Sequence, residues 1–93
     1  MTEPSSQNLT WHVYMILCSD ASFYTGITTD IDRRFSQHAA GRGAKYFRGR
    51  SPQRVVFLEA GHSRSSATRR ELALKKLTHT EKQALVSAYG LLP

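Results

Sequence analysis

Hydrophobic and polar positions alternate along the chain in six blocks. Residues 11–18, WHVYMILC, are dense in strand-forming residues and predict a first strand. Ser19-Asp20-Ala21-Ser22 is turn chemistry. Residues 23–28, FYTGIT, predict a second strand, so the pair reads as an antiparallel hairpin. Gly26 inside that strand points to a bulge or to the close approach of another group. Thr29 or Asp30 can cap a helix over residues 31–40, with Ile31, Phe35 and Ala39 on its inward face and Gly41 at its end.

Residues 41–53, GRGAKYFRGRSPQ, predict a loop, and 54–60, RVVFLEA, a third strand. Ser63 to Ser66 can cap a second helix ending near Leu77. Thr78 with Glu81 matches a capping box, opening a third helix to about Tyr89, with Gly90 as its stop. The expected fold class is α+β, in the order β-β-α-β-α-α: a small three-stranded sheet flanked by helices. The expected organisation is a loose polar tail over residues 1–9 and one domain over 10–93.

Charge adds a partner to this picture. Thirteen Lys and Arg oppose seven Asp and Glu, for a net charge of +6. Most of the cations are arginine, whose planar fork suits phosphate oxygens. An anionic partner is implied, nucleic acid first among them. Cys18 is the only cysteine, so no internal disulfide can form, and it reads as a buried strand residue. The N-terminus lacks a signal-like apolar run, and no stretch approaches the length of a membrane span. A cytoplasmic protein without membrane association is expected.

Chemistry-bearing residues recur at the predicted edges. Tyr14 and Tyr24 lie one on each hairpin strand, and strand alternation puts His12, Tyr14, Ile16 and Cys18 on one face. Both tyrosines can be core aromatics, but Gly26 beside them leaves room for a phosphate or another backbone. Arg34 and His38, four apart, project together from the first helix beside its apolar stripe, while Arg33 points to solvent. Glu71 interrupts the inward series Ala67, Glu71, Leu74 of the second helix. It is either a surface partner of Lys75 or a carboxylate that needs a cation or metal. The loop holds Arg42, Lys45, Arg48 and Arg50 without an acid, and Tyr46 and Phe47 lie between them. Cations grip phosphate and exposed aromatics stack on bases, while one of the two rings is expected to anchor the loop inward. His12, His62 and His79 have no ligand spacing and stay unassigned.

The ordered set VYM, YTG, Arg34 with His38, then Glu71, together with YTGITTDIDRRFSQH, GAKYFRGR and LKKL, resembles the GIY-YIG nuclease domain, and its small single-domain members above all. Val13 and Met15 depart from the first motif and Thr25 from the second, yet both tyrosines, Gly26, Arg34 and Glu71 remain. The resemblance implies hydrolysis of phosphodiesters, endonuclease-like and on DNA rather than RNA, with one divalent ion, Mg2+ or Mn2+. It implies Glu71 as the metal's protein ligand, Arg34 on the scissile phosphate and Tyr14 as general base, lowered in pKa by cationic neighbours. Tyr24 would bond the water or phosphate, and His38 would relay a proton or touch a phosphate. Gly26, Arg42, Lys45, Tyr46, Arg48 and Arg50 would meet the substrate, and a protein partner could supply targeting. The alternatives are a non-catalytic basic nucleic-acid-binding module on the same fold, and an interaction domain that recruits a protein.

Overall fold

The computed structural model describes residues 8–89. Residues 1–7 of the expected tail over 1–9, and the expected stop at Gly90, lie outside the described residues. The elements follow the expected α+β order: β1 (Trp11–Cys18), β2 (Phe23–Thr28), α1 (Ile31–Ala39), β3 (Pro52–His62), α2 (Arg64–Lys75) and α3 (His79–Tyr89). The loop after α1 is not wholly irregular: Lys45–Arg48 forms a 3-10 turn that carries Phe47 inward.

Local chemistry explains the boundaries. At α1, Asp30 Oδ1 accepts from the Arg33 N–H at 3.1 Å. At α2, Ser63 and Ser66 form a reciprocal capping box, each hydroxyl accepting from the other's backbone N–H at 3.1 Å. At α3, Glu81 Oε1 accepts from the Thr78 N–H at 2.8 Å while Thr78 Oγ1 accepts from the Glu81 N–H at 3.1 Å. Each such cap stabilises its helix by about 1 kcal/mol. Gly41 leaves α1 with φ of +77°, a conformation that favours glycine.

The sheet order is β2-β1-β3, antiparallel throughout. β1 is therefore central and covered on both faces, which is why Val13, Tyr14, Met15 and Ile16 are all buried. Val13 and Met15 join Phe57, Ala67, Leu74 and Val86 beneath α2 and α3. Tyr14, Ile16 and Cys18 join Phe47, Ile31 and Phe35 beneath α1 and the loop. Full burial of side chains such as Phe57 or Leu74 contributes about 1.5–3 kcal/mol each.

Three expectations are corrected. β3 runs two residues further at each end than residues 54–60, because it pairs with β1 from Cys18↔Pro52 to Trp11↔His62. The β1–β2 register is continuous, so Gly26 marks no bulge; the irregularities lie in the β1–β3 pairing. On α1 it is His38, not Ala39, that turns inward with Ile31 and Phe35: Ala39 is exposed and His38 is buried. An i, i+4, i+7 stripe meets the sheet better than i, i+4, i+8 on a helix this short.

Candidate active site

Tyr14 stands at the centre of β1 directly across from Gly26 on β2. A Cβ added at Gly26 would fall 2.5 Å from the Tyr14 hydroxyl oxygen and 2.7 Å from its Cζ. The missing side chain is thus filled by the tyrosine, and Gly26, itself buried, seats Tyr14 rather than opening a surface to substrate. Gly26→Ala is expected to displace the boxed ring and to destabilise the protein by about 1–3 kcal/mol. Gly49→Ala, where nothing lies within 4 Å of the added carbon, serves as the neutral control in urea unfolding. Equal midpoints for the two variants would refute the packing.

The Tyr14 hydroxyl meets His38 Nε2 at 2.9 Å. Both residues are only 1 % exposed. Tyr24 closes the group, its ring 6.2 Å from that of Tyr14 and edge-on to His38 at 5.1 Å. Phe47 packs on the imidazole at 4.4 Å and on Tyr24 at 4.9 Å.

Burial pushes the Tyr14 hydroxyl up to about 12, and the neighbouring Tyr24 and Glu71 act in the same direction. Arg34 pulls the other way without prevailing. Arg34 by itself therefore does not lower this tyrosine: desolvation of the phenolate outweighs the guanidinium. His38 is held down at about 4, by burial first and then by the Arg34 charge, against a smaller opposing pull from the Arg42 backbone. It is a neutral base at physiological pH. His38 is 1 % exposed and lines a hollow shared with Arg48 and Arg50.

Burying a neutral His38 makes stability depend on pH. The unfolded chain takes up a proton near pH 6.5 and the folded one only near 4. The stabilisation is present above 6.5 and is lost as pH falls through that window, on the order of 3 kcal/mol when complete. His38→Gln is expected to flatten the fall between pH 7 and pH 4.5 in urea unfolding. An unchanged slope would mean that His38 titrates normally.

Arg34 is half-buried and braced. Its Nη1 donates to Gln37 Oε1 at 2.9 Å and its Nη2 approaches the Gly43 carbonyl at 3.5 Å. A Cβ on Gly43, whose φ is +91°, would fall 2.6 Å from Nη1. Gln37 and Gly43 are thus positioning residues missed in the sequence; Gln37 sits one turn after Arg34, and Gly43 sits among loop glycines. Arg33 is exposed, as expected.

Glu71 lies on α2, which packs on β1 and β2, and its charge is felt at the Tyr14 hydroxyl. Its side chain is 18 % exposed, and Oε2 pairs with Lys75 Nζ at 3.1 Å. Both readings of this residue are realised: it is mostly buried, and it has the i, i+4 cation. Among the described residues no group of three or more His, Cys, Asp or Glu could hold a metal ion. A magnesium-like ion that keeps several waters requires only one or two carboxylates, and Glu71, with one oxygen in the ion pair, is chemically compatible with that donor set.

The loop is tied down at one end. Arg50 Nε donates to Asp20 Oδ2 at 2.8 Å, and its guanidinium lies 4.0 Å over the Tyr46 ring. The Tyr46 hydroxyl donates to Ser22 Oγ at 2.6 Å. Phe47 is the inward anchor. Arg42, Lys45 and Arg48 are exposed and make no ion pair among the described residues. Of the unassigned histidines, His62 meets Glu59 and Ser66, His79 Nε2 meets the Ala21 carbonyl from far along the chain, and His12 Nδ1 is buried without a partner among the described residues.

Fold and site together define a small α+β domain with a tyrosine–histidine pair between its central strand and first helix, a braced arginine and a mostly buried carboxylate. The chain belongs to the GIY-YIG family: the model of the GIY-YIG catalytic domain matches residues 10–84. It is similar to a UPF0213 protein of Halobacterium salinarum, 51% identical over 74 residues that cover 80% of this chain and 96% of that one. The solution NMR structure of a UPF0213 protein from Bacillus halodurans matches with a TM-score of 0.56 and 49% identity, covering 86% of this chain and 85% of that one. That of a protein from E. faecalis matches at 0.54 and 41%, covering 82% of each. The GIY-YIG domain carries with it nuclease-type chemistry, and its nucleases generally use divalent metals. Among the described residues no helix is long and apolar enough to cross a membrane.

Proposed function

We propose that this protein hydrolyses phosphodiester bonds of nucleic acid, DNA by preference, as an endonuclease assisted by one divalent ion. The observation that carries the reading is the buried Tyr14–His38 hydrogen bond, with Arg34 and Glu71 within electrostatic reach of the same hydroxyl. A neutral tyrosine near 12 is a weak base alone. Beside a neutral imidazole it becomes a relay. Tyr14 takes a proton from the attacking water as it passes its own to His38 Nε2, the water oxygen bonds to phosphorus, and the bond to the leaving oxygen breaks. Arg34, held by Gln37 and Gly43, binds the scissile phosphate and offsets its growing charge. Tyr24 orients the water or the phosphate from the second strand.

Glu71 would hold Mg2+ or Mn2+, which when bound supplies charge neutralisation at the leaving oxygen. Arg42, Lys45 and Arg48 track the substrate backbone, with Arg50 and Tyr46 as the braced edge of that surface. Neutralising Arg42, Lys45 and Arg48 is expected to reduce the log–log salt slope of duplex binding by about 0.9 for each phosphate no longer neutralised. A slope left unchanged would move the binding surface elsewhere.

The reading is tested by incubating the full chain with labelled single-stranded, duplex and branched DNA and with RNA, in magnesium, in manganese and in chelator. Cleavage that requires the ion supports it. Salt-sensitive binding with no cut on any substrate favours the non-catalytic module, and no binding favours a protein-recruiting domain.

A further inference from the structure

We propose that a hollow beside Arg34 receives a single nucleobase flanking the scissile phosphate, with Trp11 as the surface on which it stacks. The inference rests on the nucleic-acid reading above and adds a subsite to it.

The hollow has a volume of about 220 Å3 and opens between the start of β1, the end of β2 and α1. Trp11, Ile27, Thr29, Arg33, Arg34 and Gln37 line it. Arg34 belongs to both places, so whatever fills the hollow adjoins the group that Arg34 grips. Trp11 is only partly buried although it packs on the core, which leaves part of the indole facing the hollow. The Arg64 guanidinium lies 5.5 Å from the indole centroid and braces it as a cation–π pair. Arg33 is exposed and makes no ion pair among the described residues. Among the described residues no carboxylate lines the space.

An aromatic wall beside cations, without an acid, suits a flat base attached to phosphates. Part of the polar lining is already engaged. Gln37 Oε1 already accepts from Arg34, and Thr28 Oγ1, also on the wall, is engaged with Asp30. Arg33, the Thr29 hydroxyl and the Gln37 amide nitrogen stand beside the stacking surface, and the indole holds a base by its π-face. A base reaches it only when swung out of a helical stack.

Trp11 is the only tryptophan in the chain, so the indole emission comes from the wall of this hollow. In chelator, the full-length protein is titrated with a fluorescein-labelled thymidine decamer and with an abasic deoxyribose-phosphate decamer of equal charge. Anisotropy reads binding and the indole emission reads stacking. The thymidine decamer is expected to quench Trp11 and to bind roughly 5- to 150-fold tighter than the abasic one. Trp11→Leu should bring the two affinities together without weakening the abasic decamer, and Trp11→Phe should keep most of the difference. If the leucine variant fails to fold, the two decamers on the wild type decide the question. Equal affinities, or saturation without a change in emission, overturn the subsite while leaving nucleic-acid binding intact. Binding of neither decamer overturns the subsite and the underlying reading together.

Discussion

Glu71→Gln is expected to lower metal-dependent cleavage by roughly 10²- to 10³-fold or more while leaving the fold nearly as stable as before. The two halves of this expectation have separate causes. The side chain is 18 % exposed and its one ion pair is with Lys75, which is 49 % exposed. Such an i, i+4 pair contributes a few tenths of a kcal/mol, about 0.3–0.5 at most. Glutamine keeps the shape and the packing against the sheet. What it removes is the formal charge that would attract a divalent ion. Cleavage rates with magnesium, read beside urea midpoints, separate the effects. Undiminished cleavage by the variant would exclude Glu71 as the ligand, and a large drop in midpoint would assign it a structural role instead.

Tyr14→Phe is expected to lower kcat by about 10²- to 10⁴-fold with little change in KM. The ring is buried, so phenylalanine keeps its packing, and substrate binding through the exposed cations should persist. The atom removed is the one bonded to His38 Nε2 at 2.9 Å. His38→Gln should fall in the same direction, and the double variant should be hardly worse than Tyr14→Phe alone, because a relay broken at either end is broken. Additive effects would show that the two residues act independently. The pH profile is a second check. His38 titrates near 4, so the relay should hold its base form through pH 5 to 8, and rates there should not follow an ordinary histidine.

The corrections show where sequence reasoning reaches its limit. Tyr14, Tyr24, Arg34, His38 and Glu71 could be picked out because polar and aromatic groups recur at spacings that together resemble the GIY-YIG set. Gly26 was legible as a close approach, and the approaching group proved to be the Tyr14 ring itself. The partners of Arg34 were not legible, since neither a glutamine nor a loop glycine breaks any pattern. Nor was the tether from Arg50 to Asp20, thirty residues apart in the chain, which turns an expected phosphate contact into a braced one. Arg33 gave a solvent signal and was indeed exposed, yet it borders the Trp11 hollow, a neighbour that no local period records.

By itself the sequence determined the six elements, their order and their caps. A period of two or of 3.6 residues and a hydroxyl three residues before its backbone partner are local facts, decided within one turn or one strand. It also determined which chemical groups were available and the cationic character of the surface. Only the tertiary structure decided the direction of the Tyr14 shift, the burial of His38 and the burial of Glu71 beside Lys75. Those depend on how much water is excluded from a group and on which charges lie a few ångströms away. Both are sums over segments that folding brings together: Tyr14 with His38 is a contact across twenty-four residues. The charge of Glu71, which is felt at the same hydroxyl, arrives from still further along the chain.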